Sequence, residues 1–347
     1  MTKRISIPVN HVSLVPPDAV PTMLAVVQHE YGNVPDEVFH LATVGRPSIA
    51  DDEVLVRVRA AGLDRGTWHL MAGRPYLMRA MGFGLRRPKS TVPGLDVAGV
   101  VEAVGSAVTR FKVGDEVFGI ARGSFAEYAA AKEAKLALKP APLSFEQAAV
   151  VPISALTALQ ALRHAETVEA GQEVLVIGAS GGVGTYAIQL AVSSGGEVTG
   201  VCSAAKADLV LSLGAKAVLD YRTQDFADGG RHYDVILDIA GNSRLSQLRR
   251  ALTPTGTAVI VGGEEGGDIT GGFGRSLRAP LLSMFVRQRL VMLVAKERGT
   301  DLEALTPLLE AGQVIPALDS IFPLSQAPAA MRHLTQGKAR GKIAIST

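Results

Sequence analysis

The chain has 347 residues, 47% hydrophobic and 20% charged, the balance of an ordinary soluble protein of about two domains. Its net charge of +2 argues against a nucleic-acid binder, and no apolar run reaches the ~18 residues expected of a membrane span. The single cysteine, Cys202, excludes an intrachain disulfide and a Cys-rich structural zinc site.

Residues 1–22 hold four prolines and little periodicity, and are expected to form a loosely attached arm. The start, "MTKRISIPVNHVSLVPP", is basic, but prolines and polar residues interrupt any signal-peptide core, so a cytoplasmic protein is expected. From 23 to 146 the pattern is of short strand-like runs: "MLAVVQ", "EVLVRVRAAG", "VAGVVEAVG", "EVFGI" and "FAEYAAA". Turn signals such as Val113-Gly114-Asp115 separate them, which predicts a β-barrel-like domain. From 147 to 296 strands and helices alternate. "SFEQAAVVPISALTALQALRHA" has helical spacing, with Ser144 as an N-cap and a proline that should break or kink it. Apolar strands then alternate with helices through "EVLVIGA", "EVTGVCS", "AKAVLDY", "YDVILDIAG" and "TAVIVGG", which predicts a parallel, doubly wound sheet. Residues 297–347 return to mixed β/α and are expected to complete the first domain.

The stretch "VLVIGASGGVG", Val174–Gly184, carries the strongest local signal. G-x-x-G-x-x-G alone also suits an empty glycine turn. Here a strand, Glu173–Ile177, precedes it, a helix over Tyr186–Ser193 follows, and a second strand ends at Ser203. That is the βαβ unit of a dinucleotide site. Gly178, Ser180, Gly181, Gly182, Val183 and Gly184 are the candidate pyrophosphate cradle, at a helix N-terminus that favours anions. Ala179 stands where the commonest fingerprint has its first glycine. The end of the second strand offers Ser203 and no carboxylate, with Lys206 three residues on and Tyr221 at the end of the third strand. A missing acid admits a 2′-phosphate and Lys206 can pair with one, so NADPH is favoured over NADH. An exposed helix lysine is the plainer reading of Lys206.

With these residues in view, the chain resembles the medium-chain dehydrogenase/reductase superfamily, and within it the zinc-independent quinone oxidoreductase branch. The resemblance covers 23–347. It rests on "AAGLDRGTWHLMAG", "VPGLDVAGVVEAVGSAVTRFKVGDEVFG", "VPISALTALQAL", "VLVIGASGGVGTYAIQLA", "LGAKAVLDY" and "GKARGKIAI". It implies an α/β protein in which a GroES-like β-barrel catalytic domain accompanies a Rossmann doubly wound parallel sheet, with the active site in the cleft between. It also implies a homodimer. Zinc-dependent relatives take metal ligands where this sequence has Asp64 and Leu95-Asp96, and carboxylates without thiolate or imidazole suit zinc poorly, so no metal is expected.

Without a metal, alcohol oxidation lacks its Lewis acid, whereas a quinone or enone already delocalises incoming charge. The resemblance therefore implies NADPH-dependent reduction of a small hydrophobic quinone or α,β-unsaturated carbonyl, with no nucleic-acid or membrane partner. Asp64 matches a family position near the nicotinamide and also reads as a helix N-cap. Thr157 matches a cofactor-contacting threonine and also reads as a helix threonine bonded to its own backbone. Gly241, Gly262 and Gly263 end successive strands on the cofactor edge, and Lys342 lies in the tail segment near the cleft. Tyr76 and His69 are candidate proton donors, with water as the alternative. Two loops, 74–90 with Tyr76, Met78, Met81 and Phe83, and 268–289 with Phe273 and Phe285, are expected to form an apolar lid, with dimer contact or disorder as the plainer reading. Two other functions fit the same motifs: an enoyl-thioester reductase, and a non-catalytic NADPH-binding sensor or structural protein.

Overall fold

The computed structural model describes residues 21–166, 168–241, 243–263 and 267–347, so residues 1–20 of the expected arm lie outside the described residues. β1 (Thr22–Val27) pairs antiparallel with β2 (His40–Gly45), and the short helix α1 (Pro35–Val38) lies between them. β3 (Glu53–Leu63) buries Val54, Val56 and Val58 at every second position, the period of a strand with one face on a core. α2 (Arg65–Ala72) and the helical turn α3 (Tyr76–Met78) follow it. β4 (Asp96–Val104), β5 (Glu116–Ile120), β6 (Tyr128–Lys132) and β7 (Leu136–Leu138) complete an antiparallel run.

Ser144 caps α4 (Phe145–Ala149) through a capping box with Gln147. Pro152 then opens α5 (Pro152–His164), so the proline divides the helical run in two. β8 (Glu173–Ile177), α6 (Gly182–Ser193), β9 (Glu197–Cys202), α7 (Ala207–Ser212) and β10 (Ala217–Asp220) alternate, as do β11 (Tyr233–Asp238), α8 (Leu245–Ala251), β12 (Leu252–Ile260), α9 (Phe273–Ser283) and β13 (Arg289–Met292). The strands form one parallel sheet in the order β10-β9-β8-β11-β12-β13. Its direction of winding switches between β8 and β11, where open α/β sheets hold ligands. After α10 (Gly299–Glu310), β14 (Leu318–Pro323) and α11 (Ala327–Thr335), β15 (Lys342–Ser346) pairs antiparallel with β3, so the tail returns to the barrel. One apolar cluster joins the halves: Ala98 and Phe118 of the barrel pack with Ala155 of α5 and Tyr186 of α6.

Two expectations need correction. The helix after the glycine loop begins at Gly182, not Tyr186, because glycine at its first positions does not bar helix when the end lies against a strand terminus. Residues 268–289 are not an open loop: α9 occupies their middle, with Arg275, Ala279 and Leu282 at helical spacing on its inner side.

Candidate active site

The glycine loop sits at the switch point of the sheet. Gly178 N donates to Val201 O (3.1 Å), which ties the loop to the end of β9. A Cβ at Gly184 would lie 2.2 Å from Gly178 O, so only glycine lets the first turn of α6 approach the strand end. Gly181 is different, since a Cβ there would meet nothing nearer than Gly178 O at 3.4 Å. Its open side is where a ligand backbone can come close. No side chain caps α6, so the amides of its first turn, which have no intrahelical acceptor, are not claimed by a cap. Gly182 and Val183 lie in this turn, Gly181 is its N-cap residue, and Ser180 precedes it in the loop. Across the switch point Gly241 (φ +75°) turns β11 back against Gly262, and Gly263 O accepts from Gly272 N (2.9 Å), so all three glycines line the same sheet edge. Thr157 is on α5, half-buried, and its hydroxyl donates to Ile153 O (2.7 Å).

Ser203, Lys206 and Tyr221 gather at the ends of β9 and β10, which pair as far as Asp220 and Cys202. Tyr221 is 59% exposed, with the Arg222 guanidinium 5.7 Å from its ring. Lys206 is not a free helix lysine. Its ammonium donates to Gly337 O (2.8 Å) and Ala339 O (2.6 Å), and burial lowers its pKa. The tail makes further bonds here: Arg340 pairs with Asp208 (2.6 Å), and Gly341 N donates to Ser180 O (3.0 Å). The basic spacing of "GKARGK" was the available signal for Arg340, which sequence reasoning did not single out.

Lys342 comes next in the tail. Its side chain is 2% exposed and packs against Gly182, where a Cβ would lie 2.8 Å from Lys342 Cδ. Its ammonium reaches Asp96 Oδ2 (3.4 Å), and Asp96 Oδ1 accepts from Ile153 N (3.0 Å). Asp96 is fully buried. Burial pushes its carboxyl up to about 7, against the pull of Lys342 and with the help of nearby Asp64. Asp64 caps α2: Oδ1 accepts from Thr67 N (2.8 Å) and the Thr67 hydroxyl (3.1 Å), while Oδ2 is buried without a hydrogen-bond partner. The N-cap reading of Asp64 is thus seen directly, and it sets the carboxylate beside a second acid at the domain junction.

The β-barrel half carries an open cavity of about 790 Å³, whose lining includes Gly94 and Leu95. His69 lines it, with Nδ1 2.8 Å from Arg74 O. Met78 and Phe83 line it as well, and the Tyr31 hydroxyl reaches the carbonyls of Phe83 and Gly84 (2.9 and 2.8 Å). Tyr76 does not line the cavity. It is exposed, and its ring lies 4.7 Å from the Arg79 guanidinium. Phe285 is 82% exposed, and the side chain of Phe273 lies outside the described residues. The two lid segments nevertheless meet. Tyr76 N and Leu77 N donate to Asp268 O (2.7 Å) and Ile269 O (3.0 Å), and Arg74 pairs with Asp268 (2.8 Å). Sequence reasoning also missed the foot of this strap. Arg275 of α9 pairs with the buried Asp238 (2.5 Å) and donates to Ser243 O (2.6 Å) and Gly262 O (3.0 Å). Among the described residues, no cluster of His, Cys, Asp and Glu is arranged to hold a metal ion.

Comparison with known proteins agrees with this architecture. An alcohol dehydrogenase GroES-like domain model matches residues 50–141, and a zinc-binding dehydrogenase model matches residues 213–345. A chloroplastic quinone-oxidoreductase homolog of Spinacia oleracea is 33% identical over 343 residues, covering 94% of this chain and 99% of its own. A chloroplastic NADPH-dependent alkenal/one oxidoreductase of Arabidopsis thaliana is 34% identical over 338 residues, covering 93% of this chain and 79% of its own. The solved quinone oxidoreductase of Coxiella burnetii superposes with a TM-score of 0.82 at 29% identity, covering 94% of this chain and 100% of that one. Likeness that runs through both the barrel and the Rossmann sheet identifies the chain: it belongs to the medium-chain dehydrogenase/reductase superfamily, among the quinone oxidoreductase-like members.

Proposed function

We propose that the protein is a zinc-independent, NADPH-dependent reductase of quinones or α,β-unsaturated carbonyls. The observation that carries the cofactor choice is the end of β9, where Ser203 and Lys206 stand and no carboxylate lies between the strand and Lys206. The relatives named for quinone and alkenal/one reduction support the acceptor class.

The uncapped first turn of α6 fits a pyrophosphate, which would take the amides of Val183 and Gly184, with the Lys342 side chain against Gly182 adding positive charge. Lys206 spends two donors on the tail carbonyls, and an ammonium has a third for a 2′-phosphate. Tyr221 and Ser203 flank it, and Gly241, Gly262 and Gly263 let the backbones at the sheet edge pack closely, since a Cβ at each would lie 2.3, 2.1 and 2.8 Å from neighbouring backbone atoms. When bound, the cofactor supplies the hydride. The chain's own task is then to orient a flat acceptor, exclude water and permit a proton to arrive. Of Asp64, Tyr76 and His69, His69 is the one that lines the cavity, so it is the better proton donor, with Asp64 fixing the helix that carries it. The donor set does not fit zinc: Leu95 has no ligand atom, Asp64 Oδ1 is spent on Thr67, and Asp96 faces the Lys342 ammonium.

Steady-state oxidation of NADPH by benzoquinone, phenanthrenequinone and simple enones tests the activity. Lys206→Ala should weaken NADPH binding at least about tenfold and NADH little. Equal losses would remove the 2′-phosphate reading. Tight NADPH binding without turnover of any acceptor would favour the non-catalytic binding protein.

A further inference from the structure

The cavity of about 790 Å³ lies in the size range of small-molecule sites. Much of its wall is apolar or aromatic, with Tyr31, Met78, Phe83 and Leu95, as a quinone or enone body requires. Its charged residues are of one sign. Arg79, Lys89 and Arg122 line it, and no Asp or Glu does. Arg122 is neutralised, because Glu53 accepts from it with both oxygens (2.8 and 3.0 Å). Arg79 and Lys89 are not: among the described residues neither forms an ion pair with a carboxylate. Arg79 stacks over Tyr31 at 4.2 Å and spends Nε and Nη2 on the carbonyls of Gly73 and Ala72 at the end of α2. That capping role accounts for one edge of the guanidinium and leaves its charge without a counterion.

A neutral acceptor would make no use of two uncompensated cations in its own cavity, whereas an anionic group would be drawn in and oriented by them. We infer that the acceptor carries a carboxylate: a flat apolar enone or quinone body filling the cavity, with the carboxylate held by Arg79 and Lys89. This rests on the reductase reading for its chemistry, though not for its binding.

The test compares benzylideneacetone with its para-carboxylate in the NADPH-dependent assay. The carboxylate should be preferred in kcat/KM by about tenfold or more, the worth of one charge-assisted hydrogen bond, and the preference should shrink as salt is raised. Arg79→Met and Lys89→Met should each bring the ratio towards one. Lys89 is exposed, and although its backbone N donates to Phe83 O (2.9 Å), its side chain forms no hydrogen bond or ion pair among the described residues, so that variant keeps the test sound even if Arg79→Met loosens the end of α2. Equal or better use of the neutral ketone, or a preference that survives both substitutions, overturns the inference. A separate readout is quenching of Trp68, the single tryptophan, on the helix whose His69 and Leu70 line the cavity. Carboxylate binding that depends on Arg79 and Lys89 but leads to no turnover would support the anion site and remove the reductase reading. Absence of both binding and preference would remove the anion site itself.

Discussion

Asp96 offers the sharpest test of the domain junction. Burial holds its carboxyl at about 7 in the folded protein, with Lys342 opposing and Asp64 adding to the rise. In an unfolded chain an aspartate titrates near ~3.9, so folding raises the affinity for one proton by roughly three pH units. At ~1.4 kcal/mol per unit, this is about 4 kcal/mol of pH-dependent stability. The folded state binds the proton more tightly. The contribution is therefore fully present below about pH 4 and is lost as pH rises through 7. Asp96→Asn removes the titration. Its side-chain carbonyl can still accept from Ile153 N, but the buried Lys342 ammonium then has no carboxylate beside it above pH 7, where the wild type supplies one. Urea unfolding of both proteins, followed by circular dichroism from about pH 5 to 8, separates the two effects. The wild-type advantage should fall by about 1.4 kcal/mol per unit up to pH 7 and then level off. Asp238, also raised by burial, and the exposed acids Asp36, Asp52 and Asp208, which are lowered by basic partners, cancel in the difference. A difference that stays constant across the range would refute the assignment of the titration to Asp96.

Two further perturbations separate packing from ligand contact. Gly184→Ala puts a Cβ 2.2 Å from Gly178 O and 2.7 Å from Ala179 O, backbone atoms that cannot rotate away, so it should cost about 1–3 kcal/mol in thermal or urea unfolding. Gly181→Ala meets only Gly178 O at 3.4 Å, and its φ of −85° suits alanine, so stability should hold while NADPH binding, measured by titration, falls at least about tenfold. If both variants lose stability alike, Gly181 is a packing residue and the cradle reading fails. Arg275→Met leaves Asp238 buried without its cation and should cost about 3–5 kcal/mol in urea unfolding, and a loss under about 1 kcal/mol would mean that the pair contributes little to the sheet edge.

Much of this was legible in the sequence because it is local. The period-two valines of β3 and the strand–glycine–helix run at 173–193 declare their structure over a few residues. Ser144 with Gln147, and Asp64 ahead of Thr67, are capping patterns whose partners lie three residues away. What escaped is long-range or of weak contrast. β2 exposes most of its length and carries no apolar alternation to mark it. α9 was hidden by glycines before it and a proline within it, and it is held by Arg275 reaching back to Asp238 at the end of another strand. Lys206 read as a plain helix lysine or a phosphate ligand, because nothing near it in sequence reveals that Gly337 and Ala339 turn their carbonyls towards it. Tyr76 was singled out for its hydroxyl, but its position in space is set by Arg74 and Asp268, and their pairing spans the two domains.

The tail explains how the two halves of the site can be held in register. Gly341 bridges in parallel to Gly181 and donates to Ser180 O, and β15 begins at the next residue, Lys342. β15 then pairs Ile343 with Leu63, the last residue of β3, and Asp64 follows at once as the cap of the helix that carries His69. Gly62 of β3 pairs with Asp96, which meets Lys342 from the other side. A hydrogen-bonded path a few residues long therefore runs from the glycine loop to the helix beside the cavity, with no flexible loop in it. Movement of the loop by a fraction of an ångström has to be shared by β15 and β3 or break one of these bonds. Asp64 and Asp96 and the basic tail therefore act as one device: Asp64 caps the helix that carries His69, and Asp96 joins the Lys342 ammonium to the start of α5.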